Sequence, residues 1–248
     1  MKFTYLLIDF FSVIVPLIFT FHPRLKFYKQ WTALFPAVII TAITFIVWDA
    51  YFTDLRIWGF NATYLTGVYI GNLPLEEVLF FICIPYACVF TYTSLIVMTK
   101  KEISARIQFA ISVLLITISV FMVIIFYDHY YTCSAFAVLA ALVFINQFIL
   151  KSLWLSRFYT TYLLLLIPFF IVNGLLTGSG LQNAVVWYNH ADIVNLRILT
   201  IPIEDIFYGM DLILLNITLY TIITKIIYKK TNDGAKQDTY ETAVSSKP

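Results

Sequence analysis

The chain has 248 residues, of which 61% are hydrophobic and only 12% charged, with a mean hydropathy of +0.86. A water-soluble domain carries about twice that charged fraction, so the composition excludes a soluble globular protein and leaves an integral membrane protein. A net charge of +2, with no basic stripe interleaved with aromatics, argues against nucleic acid as a partner.

Seven apolar runs approach the ~20 residues needed to cross the hydrocarbon layer: 3–21, 31–52, 74–98, 105–127, 132–150, 159–176 and 202–228. The first contains Asp9 and has no small-x-small cleavage site before His22-Pro23-Arg24. It reads as a retained span, not a signal peptide. Thirteen of the sixteen basic residues fall in the loops after spans one, three and five or around the end of span seven. Only Lys2, Arg56 and Arg197 fall on the other side. The positive-inside rule then predicts an outer N-terminus and a cytoplasmic C-terminus in the cell membrane. The polar residues 231–248 are expected to form a disordered tail.

A short acidic pattern occurs twice. Pro74-Leu75-Glu76-Glu77 opens span three, and Pro202-Ile203-Glu204-Asp205 opens span seven. Proline suits the first turn of a helix, and acids there oppose the positive end of its dipole. The preceding loops also match, Trp58-Gly59-Phe60-Asn61 against Val186-Trp187-Tyr188-Asn189. The predicted fold is therefore all-α: a polytopic bundle of seven membrane helices built from two parallel three-helix repeats joined by a linking helix. The units are residues 1–104, a linking span at 105–130, residues 131–230 and the tail. Both acidic motifs are expected at the outer ends of their helices, facing one central cavity.

On span seven, Glu204, Tyr208, Asp211 and Leu215 share a face; on span three, Glu76, Phe80, Cys83 and Ala87 share one, and Glu77, Phe80, Phe81 and Ile84 another. An ionised acid at span centre costs about 2.5–3.5 kcal/mol, so four acids together need protonation, pairing or water. A carboxyl kept neutral by desolvation is a proton donor near neutral pH. These are the ingredients of acid catalysis on an apolar substrate. The competing reading is structural, with the acids capping helices and pairing with Arg56 or Arg197. Asp9 and Asp49 fit either a packing or a site role, and Asn146 and Asn216 suit interhelical hydrogen bonds.

Other chemistries find no support. There is no G-x-G-x-x-G for a dinucleotide, no Asp-rich diphosphate motif, and no mid-membrane lysine in span seven for a Schiff base. The histidines (22, 129, 190) and cysteines (83, 88, 133) show no metal spacing.

The two acidic motifs, Phe80-Phe81, the segment Asn173-Gly174-Leu175-Leu176-Thr177-Gly178 and Tyr208 together resemble the integral-membrane lycopene cyclases. In that family, two homologous three-span units occur as separate subunits or fused, and this chain looks like the fused form over about residues 1–230. The resemblance implies cyclisation of the linear ends of lycopene to β-ionone rings, without redox change, flavin or other cofactor. It maps the acidic site onto Glu76, Glu77, Glu204 and Asp205, with Glu77 and Glu204 placed first and the other two as partners. Trp48, Phe80, Phe81, Asn173, Trp187, Phe207, Tyr208 and Asp211 are expected at the substrate. The partners expected are a carotenoid taken from the lipid bilayer and the membrane itself; association with other carotenoid enzymes or a second copy of the chain is left open. A carotenoid hydratase using the same protonation, and a proton-coupled transporter, are the alternatives.

Overall fold

The computed structural model describes residues 2–99 and 102–245. The described residues form seven helices: α1 (Thr4–Phe19), α2 (Trp31–Asp54), α3 (Leu75–Met98), α4 (Ala105–Ile125), α5 (Tyr130–Phe144), α6 (Leu155–Leu176) and α7 (Ile203–Ser245). A π-helical turn, Ile145–Ile149, extends α5. Hydrocarbon offers no hydrogen-bond partner to a backbone, so each apolar run satisfies its own amides as helix. Six of these helices are long and apolar enough to cross a membrane, and α1 is a shorter apolar helix of 16 residues, about 24 Å long. The fold is an all-α membrane bundle.

Two local expectations change. Pro74 is the N-cap of α3, with extended backbone, and not a residue of its first turn; Pro202 likewise ends a short strand before α7. α7 also continues as helix to Ser245, across much of the tail expected to be disordered. Its Lys, Gln, Glu and Ala residues are good helix formers. Residues 246–248 lie outside the described part.

Helix α4 is peripheral: only 17% of its span is buried, against 50% for α7 at the centre. It lies along α5. A polar cluster secures it, in which Gln108 Nε2 donates to Gln147 Oε1 (3.1 Å) and Ser112 shares a hydrogen bond with Tyr159 (2.7 Å). Such interhelical bonds do in lipid what apolar packing does in water.

Six short strands stand beyond the acidic helix starts: β1 (Trp58–Phe60), β2 (Tyr69–Ile70), β3 (Leu73–Pro74), β4 (Val186–Tyr188), β5 (Arg197–Ile198) and β6 (Ile201–Pro202). β2–β3 and β5–β6 are matching hairpins, each leading into an acidic helix. β1 and β4, one from each half, pair antiparallel as Trp58↔Tyr188, Gly59↔Trp187 and Phe60↔Val186. The ribbon thus has local two-fold symmetry centred on the Gly59–Trp187 pair.

The second helices of the two halves are packed differently. α2 lies close against both α3 and α7, whereas α6 stands further from them. Phe45, Phe81, Ala42 and Leu212 fill the α2 side, with Trp48 and Tyr208 against them. The α6 side is left open.

Candidate active site

Each acidic motif divides into a carboxyl that lines a cavity and one that accepts from the preceding loop. Helix residues one apart point about 100° apart, so neighbouring acids cannot share a role. Glu76 Oε1 accepts the backbone N–H of Thr66 at 2.6 Å. Glu204 Oε1 accepts the N–H of Val194 at 2.7 Å and the hydroxyl of Thr132 at 2.6 Å. Both acids are fully buried and tie the loop ahead of their helix to its first turn. These contacts are those expected of capping acids, while Glu76 Oε2 and Glu204 Oε2 stay buried without a hydrogen-bond partner. Among the described residues neither Arg56 nor Arg197 forms an ion pair with an acid; Arg197 lies over the Tyr188 ring at 5.8 Å.

Glu77 and Asp205 share one cavity of about 310 Å³. A tyrosine from the first helix of each half binds the second acid of that half. Tyr5 donates to Glu77 Oε2 at 2.5 Å, and Tyr131 donates to Asp205 Oδ1 at 2.7 Å. Asp205 receives two further bonds on Oδ2, from Asn173 Nδ2 (2.7 Å) and the Tyr188 hydroxyl (2.9 Å). Three donors converging on one carboxyl form the pattern that suits a carboxylate. Glu77 receives one. Asp49 is a third carboxyl on the wall.

The cavity runs inward from these acids along one face of α3, past Phe80, Ile84, Ala87 and Thr91. Across from it are Ser12 and Pro16 of α1 and Pro168, Phe169 and Val172 of α6. Pro168, on this α6 wall, is exposed. Trp58, Phe60, Val186 and Tyr188 of the ribbon line the end beside the acids.

Of the expected site residues, Glu77, Asp205, Phe80, Asn173 and Tyr208 line the cavity. The others lie elsewhere. Phe81 and Trp48 belong to the packed α2 side. Phe207 packs against Phe136 of α5, with ring centroids 4.6 Å apart and the rings tilted by 45°. Trp187 is 44% exposed, on the ribbon's outer face. Asp211 is buried, with neither oxygen hydrogen-bonded. Glu204, placed first at the sequence level, is turned to Val194 and Thr132, and Asp205 holds the cavity position equivalent to Glu77. Residues not singled out include Tyr5, Tyr131 and Tyr188. Tyr5 carries a signal in the sequence, one helical turn before Asp9 on the same face.

Searches of curated proteins and of solved structures give no match. A family model described as lycopene cyclase matches twice, over residues 2–95 and 128–223. The two matched segments each carry one tyrosine–acid pair of the cavity, and together they cover most of the sequence: the chain belongs to the lycopene cyclase family.

Proposed function

We propose that the protein closes the linear ends of lycopene into β-ionone rings by acid catalysis, with Glu77 as proton donor and Asp205 as base. The observation that carries this reading is the facing of Glu77 and Asp205 across a single apolar cavity, one held by a lone donor and the other by three. Membership of the family supports the substrate.

The chemistry needs a proton delivered and a proton taken back. The Glu77 carboxyl protonates the terminal C=C, leaving a tertiary cation. The neighbouring double bond supplies the electron pair for the new C–C bond, and the positive charge moves onto the ring. Asp205 removes a ring proton, and the electron pair left behind becomes the ring olefin. Atoms and electrons balance, so the reaction is an isomerisation. Phe80, Phe169 and Tyr208 present aromatic surface, each face being worth roughly 0.5–2 kcal/mol to a cation. In this reaction the ribbon beside the acids keeps water from the cation, which would otherwise be hydrated to an alcohol.

Pockets of about 300–1,000 Å³ hold a drug-sized ligand, so this cavity accommodates one end of a long polyene, not its length. The side of the cavity between α1 and α6 is the proposed entry from the bilayer. Placement in the cell membrane, with the N-terminus outside and the C-terminus in the cytoplasm, rests on the distribution of basic residues.

Expression in a lycopene-accumulating host, with chromatography of the pigments, tests the reading. Wild type should yield β-ring products, while Glu77→Gln and Asp205→Asn at equal protein level should yield almost none, since general acid–base catalysis contributes ~10²–10⁴-fold. A hydroxylated open-chain product would identify a hydratase instead, and full activity in both variants would refute the assignment of the acids.

A further inference from the structure

Each half carries one hairpin ahead of its acidic helix, and both hairpins present apolar side chains outward. Val68, Tyr69 and Ile70 are exposed on the first, and Leu196, Ile198 and Leu199 on the second, with Leu199 79% exposed. Between Arg56 and Glu76 no residue is charged, and from Ile193 to Ile203 only Arg197 is. Arg197 is engaged within its own half: its Nη1 donates to the Thr200 carbonyl, and its guanidinium lies over the Tyr188 ring. In water-soluble domains about one residue in four is charged, and clustered exposed apolar side chains mark an interaction surface.

Each hairpin is tied to the second helix of its half. Asn72 Nδ2, next to β3, donates to the Ala50 carbonyl and to Asp54 Oδ1 of α2, both at 2.7 Å. Thr200, next to β6, shares hydrogen bonds with Thr177 (2.8 Å) and Ser179 (2.7 Å), just past the end of α6. Both helices carry exposed apolar residues at four-residue spacing, Ile43, Val47, Tyr51 and Leu55 along α2 and Leu163, Ile167 and Ile171 along α6. Such faces of membrane-crossing helices are solvated by acyl chains. The apolar side chains of each hairpin thus stand at the end of a lipid-facing surface. Exposed polar residues at the same end of the bundle, such as Gln182, Asn183 and His190, lie outside both hairpins.

We propose that the two hairpins seat their apolar side chains in the lipid leaflet at this end of the bundle, at the boundary between headgroups and acyl chains. The backbone sets the depth. Hydrocarbon offers no partner to the unpaired amides of a two-residue strand, whereas headgroups and water do, and from that level the side chains still reach the acyl chains. Tyr69 suits the same level, where aromatic rings with a polar tip collect. The leaflet then fixes the depth of the acids. Glu77 follows the end of β3, and Asp205 the end of β6, by three residues, about 4.5 Å of helix. Both cavity acids therefore stand just inside the hydrocarbon boundary, at a depth open to an apolar chain dissolved in the bilayer. The seating does not depend on which acid gives the proton and which takes it.

Nitroxide labels on single introduced cysteines read the seating, in full-length protein with Cys83, Cys88 and Cys133 replaced by alanine and reconstituted in phosphatidylcholine–phosphatidylglycerol vesicles. Ile70→Cys and Leu199→Cys put one label on each hairpin. Ile167→Cys on α6 sets the lipid value, and Gln182→Cys sets the aqueous one. Labels at 70 and 199 should relax with molecular oxygen nearly as strongly as the label at 167, and with a water-soluble nickel chelate several-fold less than the label at 182. Tyr69→Cys and Leu196→Cys repeat the measurement at neighbouring exposed positions. Nickel access on either hairpin equal to that at 182 would overturn the proposal. Broadening of the hairpin spectra that vanishes on dilution with unlabelled protein would overturn it too, because a second copy of the chain, not lipid, would then cover the hairpins.

Discussion

Gly59 and Trp187 face each other at the centre of the β1–β4 ribbon, and a Cβ on Gly59 would stand 2.4 Å from indole Cζ2. The two positions are equivalent in the repeats, so the symmetry of the ribbon breaks at its own centre: one side provides a ring and the other the space for it. The indole lies on the outside, away from the proposed cation. Trp187→Ala should therefore keep cyclisation within about twofold of wild type, as expected of a surface change worth ±0.5 kcal/mol. Tyr208→Ala should lose most of it. Equal losses in the two variants, by pigment chromatography, would contradict the outward placing of Trp187.

The division of labour within each acidic motif can be read from stability. Glu204→Ala leaves the Val194 N–H and the Thr132 hydroxyl without their acceptor, at about 1–3 kcal/mol for each buried group. The thermal midpoint in detergent should fall by several degrees. Glu204→Gln keeps a carbonyl oxygen in place and should be far milder, in activity as well as stability, than Glu77→Gln. If Glu204→Gln abolished turnover while unfolding like wild type, the two roles would have to be reversed.

The tyrosines should matter unequally. Tyr131→Phe removes one of three donors to Asp205, whereas Tyr5→Phe removes the single donor to Glu77. A net hydrogen bond is worth ~0.5–1.5 kcal/mol, so the first change should slow turnover roughly three- to tenfold. The second should slow it more. The reverse order in measured rates would mean that the Asp205 network, not the Glu77 contact, is the weak point of the site.

The helices were legible because hydrocarbon leaves an apolar run no alternative to helix, so the expected spans and the observed helices differ at most ends by only a few residues. The repeat was legible because its acids and its W-G-F-N and V-W-Y-N loops are local strings. Which of two adjacent acids turns inward was not, because that depends on the rotation of α3 and α7 against α1, α5 and the hairpins. Tyr188 escaped notice for a similar reason. It reaches Asp205 from a strand whose partner lies in the other half of the chain. Phe81 and Phe207, close to the acids along their helices, and Trp48, an aromatic of span two, were expected at the substrate, yet they pack between helices, since an aromatic does not reveal which neighbour covers it.

The proposed orientation in the membrane rests on the basic residues. Single cysteines introduced in the loops 24–30 and 151–157 should be labelled only from the cytoplasmic side, and one at Arg56 only from outside. Labelling of position 56 from the cytoplasm would break the arrangement, since α2 alone separates it from the loop at 24–30.

The cavity can be closed without touching an acid. Gly209 lies on its wall, and a Cβ there would meet Phe169 Cε2 at 3.4 Å and the Tyr162 hydroxyl at 3.7 Å. Those are ordinary contacts, so Gly209→Ala should fold and turn over nearly as wild type does. A leucine at the same position extends into the cavity, where an end group of the polyene would lie. Gly209→Leu should therefore lose most turnover while keeping its thermal midpoint in detergent within a few degrees of wild type. Its acids and their donors are untouched, so the loss would be steric, and it should appear as a failure to bind lycopene. Unchanged turnover in Gly209→Leu would show that the substrate does not enter by this cavity, whatever Glu77 and Asp205 do.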